Sequence, residues 1–294
     1  MRNRGGVLTF EVAERSHAGH VRALNEDAAV VAPPVFAVAD GMGGHKDGEI
    51  ASGIAAEVMT GFGREGPHDT EGLDRALTLA NARIREETKS GEDAVAGTTL
   101  VGLVLAPDGP FAFNVGDSRL YSFSDGRLLQ LSRDHSAVQE LIDAGLISAE
   151  AGAAHEQRNV ITRAVGVDPT VEADIWAVDV SIGDRFILAS DGLTGEVDDS
   201  RIEEIVAKSS DVDAAAEALL VSALDAGGRD NISIVVIEVL DREVNDDVTD
   251  DDTEPRPREH SGDTTERRRR AASREPATRV IGIEDVLGAV ETDD

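Results

Sequence analysis

The sequence predicts an α+β fold in which antiparallel sheets are covered by helices. Two patterns lead there. Apolar strand-like runs come in clusters joined by short turns such as Ser124-Asp125-Gly126, and helical segments come in pairs. The regular strand–helix alternation of a parallel sheet is missing. Composition sets the scale: 294 residues with 40% hydrophobic but only 3% aromatic residues suffice for one large core, built mainly from Val, Ile, Leu and Ala, plus a tail.

The elements follow from periodicity. LTFEVAE (8–14) alternates like a half-buried strand, and AAVVAPPVFAVA holds two more apolar runs split at Pro33-Pro34. Residues 47–63 predict a helix, with Ile50, Ile54, Val58 and Phe62 four apart, and 71–88 another, with Leu73, Leu77, Ala80 and Ile84 on one face. Strands are expected at 99–106, 111–116, 119–123 and 127–132, then a helix at 136–145 ending at Gly145. Further strands lie around 171–178 and 184–190, followed by helices near 200–208 and 212–225 and a last strand at 232–240. Beyond Leu240 an acidic block gives way to a basic one that includes RRRR at 267–270, with hardly an apolar residue, so residues 1–240 read as the folded unit and 241–294 as a disordered tail. The end of that tail regains Val280, Ile281, Ile283, Val286, Leu287 and Val290, which suits a short docking element or a merely sticky terminus equally.

The formal net charge of −30 argues against nucleic acid as a partner, because phosphates would be repelled. With no cysteine, disulfides, thiolate metal sites and thiol-based catalysis are excluded, leaving oxygen and imidazole donors for any metal. The N-terminus lacks the apolar stretch of a signal peptide, and no run approaches the ~18 apolar residues of a membrane span, so a cytoplasmic protein is expected.

The chemistry-bearing residues sit where strands end. Asp40 closes VFAVA, Asp117 closes FAFNVG, Asp191 closes RFILAS, Asp230 precedes the last strand, and Glu26 and Asp27 stand together in RALNEDAAV. Brought together, six such acids would repel one another unless a cation neutralised them. Mg²⁺ and Mn²⁺ favour carboxylate, carbonyl and water ligands, and the glycines after Asp40 and Asp191 would let a backbone carbonyl approach an ion. Asp-Gly is also a common turn dipeptide, so either copy alone means little. Arg22, four residues before Glu26, could grip a phosphate through two parallel hydrogen bonds or pair with Glu26 or Asp27. Arg119 reads as the partner of a neighbouring acid, and His17, His20 and His135 have no metal-binding spacing.

Taken in order, VRALNED, VADGMGG, AGTT, NVGDSR, LSRDHS, ITRAVG, LASDGLTG and GGRDNIS resemble the motif series of the metal-dependent Ser/Thr protein phosphatases of type 2C, in particular the bacterial branch. The resemblance runs from about residue 7 to residue 240. It implies a four-layer αββα sandwich with a binuclear Mn²⁺ or Mg²⁺ site at one edge and a weaker third position. In this sequence, the resemblance places Asp40 between two metals with the Gly41 carbonyl on the second, and Asp191 and Asp230 on the first. Glu26 would act through bound water supported by Asp27, Arg22 would hold the substrate phosphate, and Asp117 with Asp191 would face the third ion. Thr99 falls near the metal waters, and Asn231 would brace the Asp230 loop. The implied reaction is attack of a metal-activated water on phosphoserine or phosphothreonine, without a covalent phosphoenzyme.

The implied partners are phosphorylated proteins and Ser/Thr kinases, met by a monomer. Two positions depart from the family pattern: Met42 stands where many relatives carry a proton-donating histidine, leaving His45 or a metal-bound water for that role, and Gly195 stands where relatives often carry an acid beside the third metal. The stretch LISAEAGAAHEQRN falls where the family has a mobile flap. A catalytically inactive phosphoprotein-binding module on the same fold, or a hydrolase of small phosphoesters, are the competing readings.

Overall fold

The computed structural model describes residues 9–43, 46–88, 96–106, 109–153, 155–240 and 279–282. In chain order its elements begin with strands β1 (Thr9–His17), β2 (Asp27–Ala32) and β3 (Val35–Met42) and helices α1 (Asp47–Glu65) and α2 (Thr70–Glu87). Strands β4 (Gly97–Thr98), β5 (Leu100–Val104), β6 (Phe111–Val115), β7 (Arg119–Ser124) and β8 (Arg127–Gln130) come next, then helices α3 (Ala137–Asp143) and α4 (Ala149–Ala153). The rest are β9 (Asp174–Ala177), β10 (Arg185–Ala189), α5 (Asp191–Thr194), α6 (Asp199–Lys208), α7 (Val212–Ala226), β11 (Ile232–Leu240) and β12 (Arg279–Gly282).

One sheet runs β12-β1-β11-β10-β7-β8 and the other β2-β3-β5-β6-β9, with β4 paired to β3. The pairings are antiparallel. Strand residues alternate between two apolar environments, because each sheet is covered on both faces. In β3, Val35, Ala37 and Ala39 pack with Ala51, Ala55 and Met59 of α1, whereas Phe36 and Val38 face the opposite sheet. In β11, Ile232, Ile234 and Val236 pack with α5 and α7, whereas Val235, Ile237 and Val239 face inward. The layers are therefore helices, sheet, sheet, helices, with Phe10 and Phe36 meeting edge-on between the sheets at 6.3 Å. Aspartate and serine caps start the helices: Asp69, Ser136, Asp198 and Asp211 each accept from a backbone N–H three residues on.

The expected fold class holds, with local differences. The strand expected at 99–106 is split, because Gly97–Thr98 pair with Gly41–Met42 while Leu100–Val104 pair with the middle of β3. Thr99 occupies the break, where its amide and hydroxyl serve Asp40 rather than the ladder. The helix expected to Gly145 stops at Asp143, and Gly145 turns the chain at φ 69°. The flap stretch contains the short helix α4, a weak signal in a run of Ala, Glu and Gly. Residues 241–278 and 283–294, most of the expected tail, lie outside the described residues, and so does His45; Arg279–Gly282 pair with the outer edge of β1.

Candidate active site

The inward faces of the strands change chemistry at one edge of the sandwich. Phe36 and Val38 of β3 continue at the next inward position as Asp40, and Val31 and Ala29 of β2 continue as Asp27. The same alternation carries β5 to Thr99, β7 to Ser118, β10 to Ser190, and β11 through Ser233 to Asn231. Thr99, Ser118, Ser190 and Ser233 are fully buried, so an apolar layer ends in a polar floor.

Asp27 and Asp40 are directly opposed across β2 and β3, a cross-strand pairing of like charges that is unfavourable by itself. The backbone of Asp40 is held from behind: its N–H donates to Thr99 Oγ1 at 3.0 Å, and its carbonyl accepts from Thr98 Oγ1 and Thr99 N at 2.9 Å each. Thr99 Oγ1 also meets Ser118 Oγ at 2.7 Å, next to Asp117. Asp27 accepts from Ser190 Oγ at 2.8 Å, one residue before Asp191.

Gly41 and Gly48 are set by close approach. A Cβ on Gly41 would lie 2.1 Å from the Gly48 carbonyl oxygen and 2.4 Å from that of Glu26, and one on Gly48 would lie 2.9 Å from both Glu26 Oε1 and the Gly41 carbonyl oxygen. Gly48 had no signal in the sequence, because the contact joins a helix start to two other segments.

Arg22 is half exposed and donates Nη2 to Asp230 Oδ2 at 2.6 Å, a bond that holds the guanidinium firmly protonated. Of the two partners read from sequence, Glu26 and Asp27, neither takes this bond. Asn231 does more than brace Asp230: its Oδ1 accepts from Glu26 N at 2.8 Å, and its Nδ2 donates to the carbonyls of Leu24 and Ala18 at 2.8 and 3.0 Å. It fixes the Arg22–Glu26 loop to the start of β11. Arg119 is paired with Asp134 at 2.7 Å and reaches the Tyr121 hydroxyl at 3.2 Å. His135, which has no metal-like surroundings, pins the Asp117 turn by accepting from Gly116 N at Nδ1.

Electrostatics show that the acids converge. Burial, then the charges of Asp27, Asp191 and Asp117, pushes the Asp40 carboxyl well above its usual range, and Asp40 and Asp191 share a hydrogen bond. Burial chiefly raises Asp27 and Asp117 to about 7. Burial, followed by the charge of Asp230, raises Asp191, and burial raises Glu26. Glu26 Oε1, Asp27 Oδ1 and Asp117 Oδ1 are buried without hydrogen-bond partners.

Such orphaned oxygens, beside glycines that leave backbone carbonyls exposed, fit hard divalent cations. Among the described residues, no three acidic or histidine side chains form a ready-made cage around one point. That too suits Mg²⁺-like ions, which keep several waters and take only one or two carboxylates each.

The fold agrees with comparisons to known proteins. A family model described as protein phosphatase 2C matches residues 16–225. The chain is 36% identical over 238 residues to the serine/threonine protein phosphatase PstP of Mycobacterium tuberculosis, covering 80% of this chain and 46% of that protein. It thus spans about half the length of that relative. It is 34% identical over 236 residues to the serine/threonine phosphatase stp of Listeria monocytogenes, covering 76% of this chain and 94% of that protein. A crystal structure of the catalytic domain of PstP in complex with two manganese ions superposes with a TM-score of 0.71 at 34% identity, covering 80% of this chain and all of that one. With a family model matched over more than half of the chain and a relative 34% identical over nearly its whole length, the chain belongs to the protein phosphatase 2C family.

Proposed function

We propose that this protein is a metal-dependent phosphatase that hydrolyses phosphoserine and phosphothreonine in proteins. The observation that carries the reading is the meeting of Glu26, Asp27, Asp40, Asp117, Asp191 and Asp230 beside Arg22, with one carboxylate oxygen each of Glu26, Asp27 and Asp117 left without a partner. The two manganese ions bound by the catalytic domain of PstP support a pair of Mn²⁺ or Mg²⁺ ions here. Asp40, Asp191, Asp230 and the Gly41 carbonyl would hold them, Glu26 and Asp27 would act on their water shell, and Asp117 with Asp191 would face a weaker third ion. When bound, the cations supply Lewis acidity that activates water toward phosphorus and allow the carboxylates to stay ionised together.

The chain's own groups do the rest. Arg22, anchored through Nη2 on Asp230, keeps Nη1 and Nε for the oxygens of a phosphate and orients it over the acids. Thr98 and Thr99 hold the backbone of Asp40 in place, and Asn231 holds the loop that presents Arg22 and Glu26. Met42 has no proton to give the departing Ser or Thr oxygen. Substrates on this reading are phosphoproteins made by Ser/Thr kinases, met by a monomer in the cytoplasm. Residues 1–240 form the catalytic unit, to which Arg279–Gly282 add an edge strand, and deletion of 243–294 is expected to leave peptide hydrolysis intact and to alter only targeting.

The test is phosphate release from phosphopeptides by the full chain with Mn²⁺. Activity is expected, and it should disappear with chelator or with Asp191→Asn. An active Asp191→Asn variant would refute the metal assignment. A wild-type protein inactive on several phosphopeptides would point instead to a binding module.

A further inference from the structure

We infer that Glu196 and Arg229 form a positioning clamp that sets the separation of Asp191 and Asp230, and with it the strength of one of the two cation sites; this rests on the metal-dependent phosphatase reading above. The two acids come from different segments of the chain. Asp191 opens α5 just after β10, and Asp230 stands between α7 and β11. Neither element fixes the distance between them, so contacts that join the two segments must set it.

Two such contacts bracket the acids. One residue beyond each acid the backbones touch: a Cβ on Gly192 would lie 1.9 Å from the Asn231 carbonyl oxygen. The other contact joins Glu196, on the turn that follows α5, to Arg229, which directly precedes Asp230. Glu196 Oε1 accepts from the Arg229 backbone N–H at 3.1 Å and from Nε at 2.8 Å, and Oε2 accepts from Nη2 at 2.6 Å. The two side-chain bonds make a bidentate fork. The third bond grips the main chain one residue from Asp230.

The surroundings are shaped for this pair. The Glu196 side chain is only 5% exposed, although that of Arg229 is 69% exposed. A charge that is costly to bury is thus retained where Arg229 answers it, and the bonds from Arg229 hold the carboxyl below its usual range. Gly227 leaves room for it: φ is 151°, and a Cβ there would lie 3.2 Å from Glu196 Oε2. The adjoining Gly228 carbonyl accepts from His20 N at 2.6 Å, which ties the same turn to the loop carrying Arg22. Arg22 in turn bonds Asp230. Displacing the 227–230 turn therefore displaces Asp230 relative to both Asp191 and Arg22.

The experiment counts Mn²⁺ bound to the full chain, without substrate, from the EPR signal of the free ion. Hydrolysis of a phosphothreonine peptide is followed in parallel at graded Mn²⁺. In Glu196→Ala one of the two binding steps should weaken about tenfold, the low end for a group that supports a metal ligand. The Mn²⁺ concentration for half-maximal hydrolysis should rise to match, while kcat at saturating Mn²⁺ falls much less. Glu196→Gln keeps an acceptor for the Arg229 N–H and should recover part of the affinity; it also serves if the alanine variant fails to fold. Glu196→Ala/Arg229→Ala should bind no more weakly than the worse single variant, because residues acting through one pair do not add.

Glu238→Ala controls for simple loss of stability. It breaks a partly buried ion pair with Arg185, 2.7 Å long, toward the far end of β11, and should lower Tm without shifting Mn²⁺ affinity. Equal affinities in the wild type and the Glu196 variants, or a shift matched by Glu238→Ala, would overturn the clamp alone. A wild-type chain that bound no Mn²⁺ would sink the metal-dependent reading, and the clamp with it.

Discussion

The layer between the two sheets has two ends built on the same alternation and opposite in chemistry. In its middle, Phe10, Phe36, Phe186, Leu188 and Val235 exclude water. At its edge the same inward positions carry Asp27, Asp40, Thr99, Ser118, Ser190 and Asn231. The apolar end gains stability from burial, whereas the polar end gathers like charges that work against folding until something cationic joins them. The difference shows how a sandwich keeps a strained site: the strands are over-determined along most of their length, so their last residues can be held close together at a cost.

Changing one residue at each end should separate the two roles. Asp40→Asn is expected to lower phosphopeptide hydrolysis by at least about a thousandfold, since several kcal/mol of charge stabilisation would be lost. Its thermal midpoint without metal should stay level or rise, because the variant removes a carboxyl that its neighbours repel; steady-state kinetics and calorimetry check both. Phe36→Ala should do the reverse, costing about 3–5 kcal/mol and lowering Tm by roughly 10 °C. Turnover per folded molecule should be little changed. If Phe36→Ala removed activity at full stability, the division between the ends would fail.

Asn231→Ala tests the seam between the ends. It leaves Glu26 N and the carbonyls of Leu24 and Ala18 without their partner, which should cost about 1–3 kcal/mol. Because that loop carries Arg22, inhibition by inorganic phosphate should weaken as well. Loss of stability with unchanged phosphate inhibition would show that the loop is held by other contacts.

The smallest effect is a pH dependence. Asp27 and Asp117 are raised to about 7 in the folded chain, above the carboxylate value of the unfolded one. Between these values the folded state binds more protons than the unfolded state, so stability falls as pH rises. The loss is absent below the unfolded value and complete above about pH 7. Without metal, Tm should therefore drop by several degrees between pH 5 and pH 8, and Mn²⁺ should flatten the slope. A metal-free Tm that rose over this range would contradict the assigned environment of these acids.

Much of this was legible in the sequence because strand-end acids announce themselves: an apolar run that stops on Asp40 or Asp191 needs no partner to be noticed. The alternation of β3 also shows, from sequence alone, that Asp40 shares a face with Phe36 and Val38. What sequence could not show is convergence, which depends on sheet order: Asn231 reaches Glu26 across 205 residues, and Ser190 reaches Asp27 across 163. Gly48 was illegible for the same reason, since its constraint is the nearness of Gly41 and Glu26. The pairing of Arg22 with Asp230, across 208 residues, replaced two local partners that spacing had suggested. Helix α4 was missed because five residues of Ala, Glu and Gly carry too little periodicity to read.

The most direct measurement is an anomalous difference map from a crystal of the full chain grown with Mn²⁺. Two strong peaks are expected at the polar end of the inter-sheet layer, within coordination distance of Asp40, Asp191, Asp230 and the Gly41 carbonyl, both absent in Asp40→Asn. A map with no peak there, or with manganese only at distant surface acids, would contradict the assignment of this edge as the metal centre.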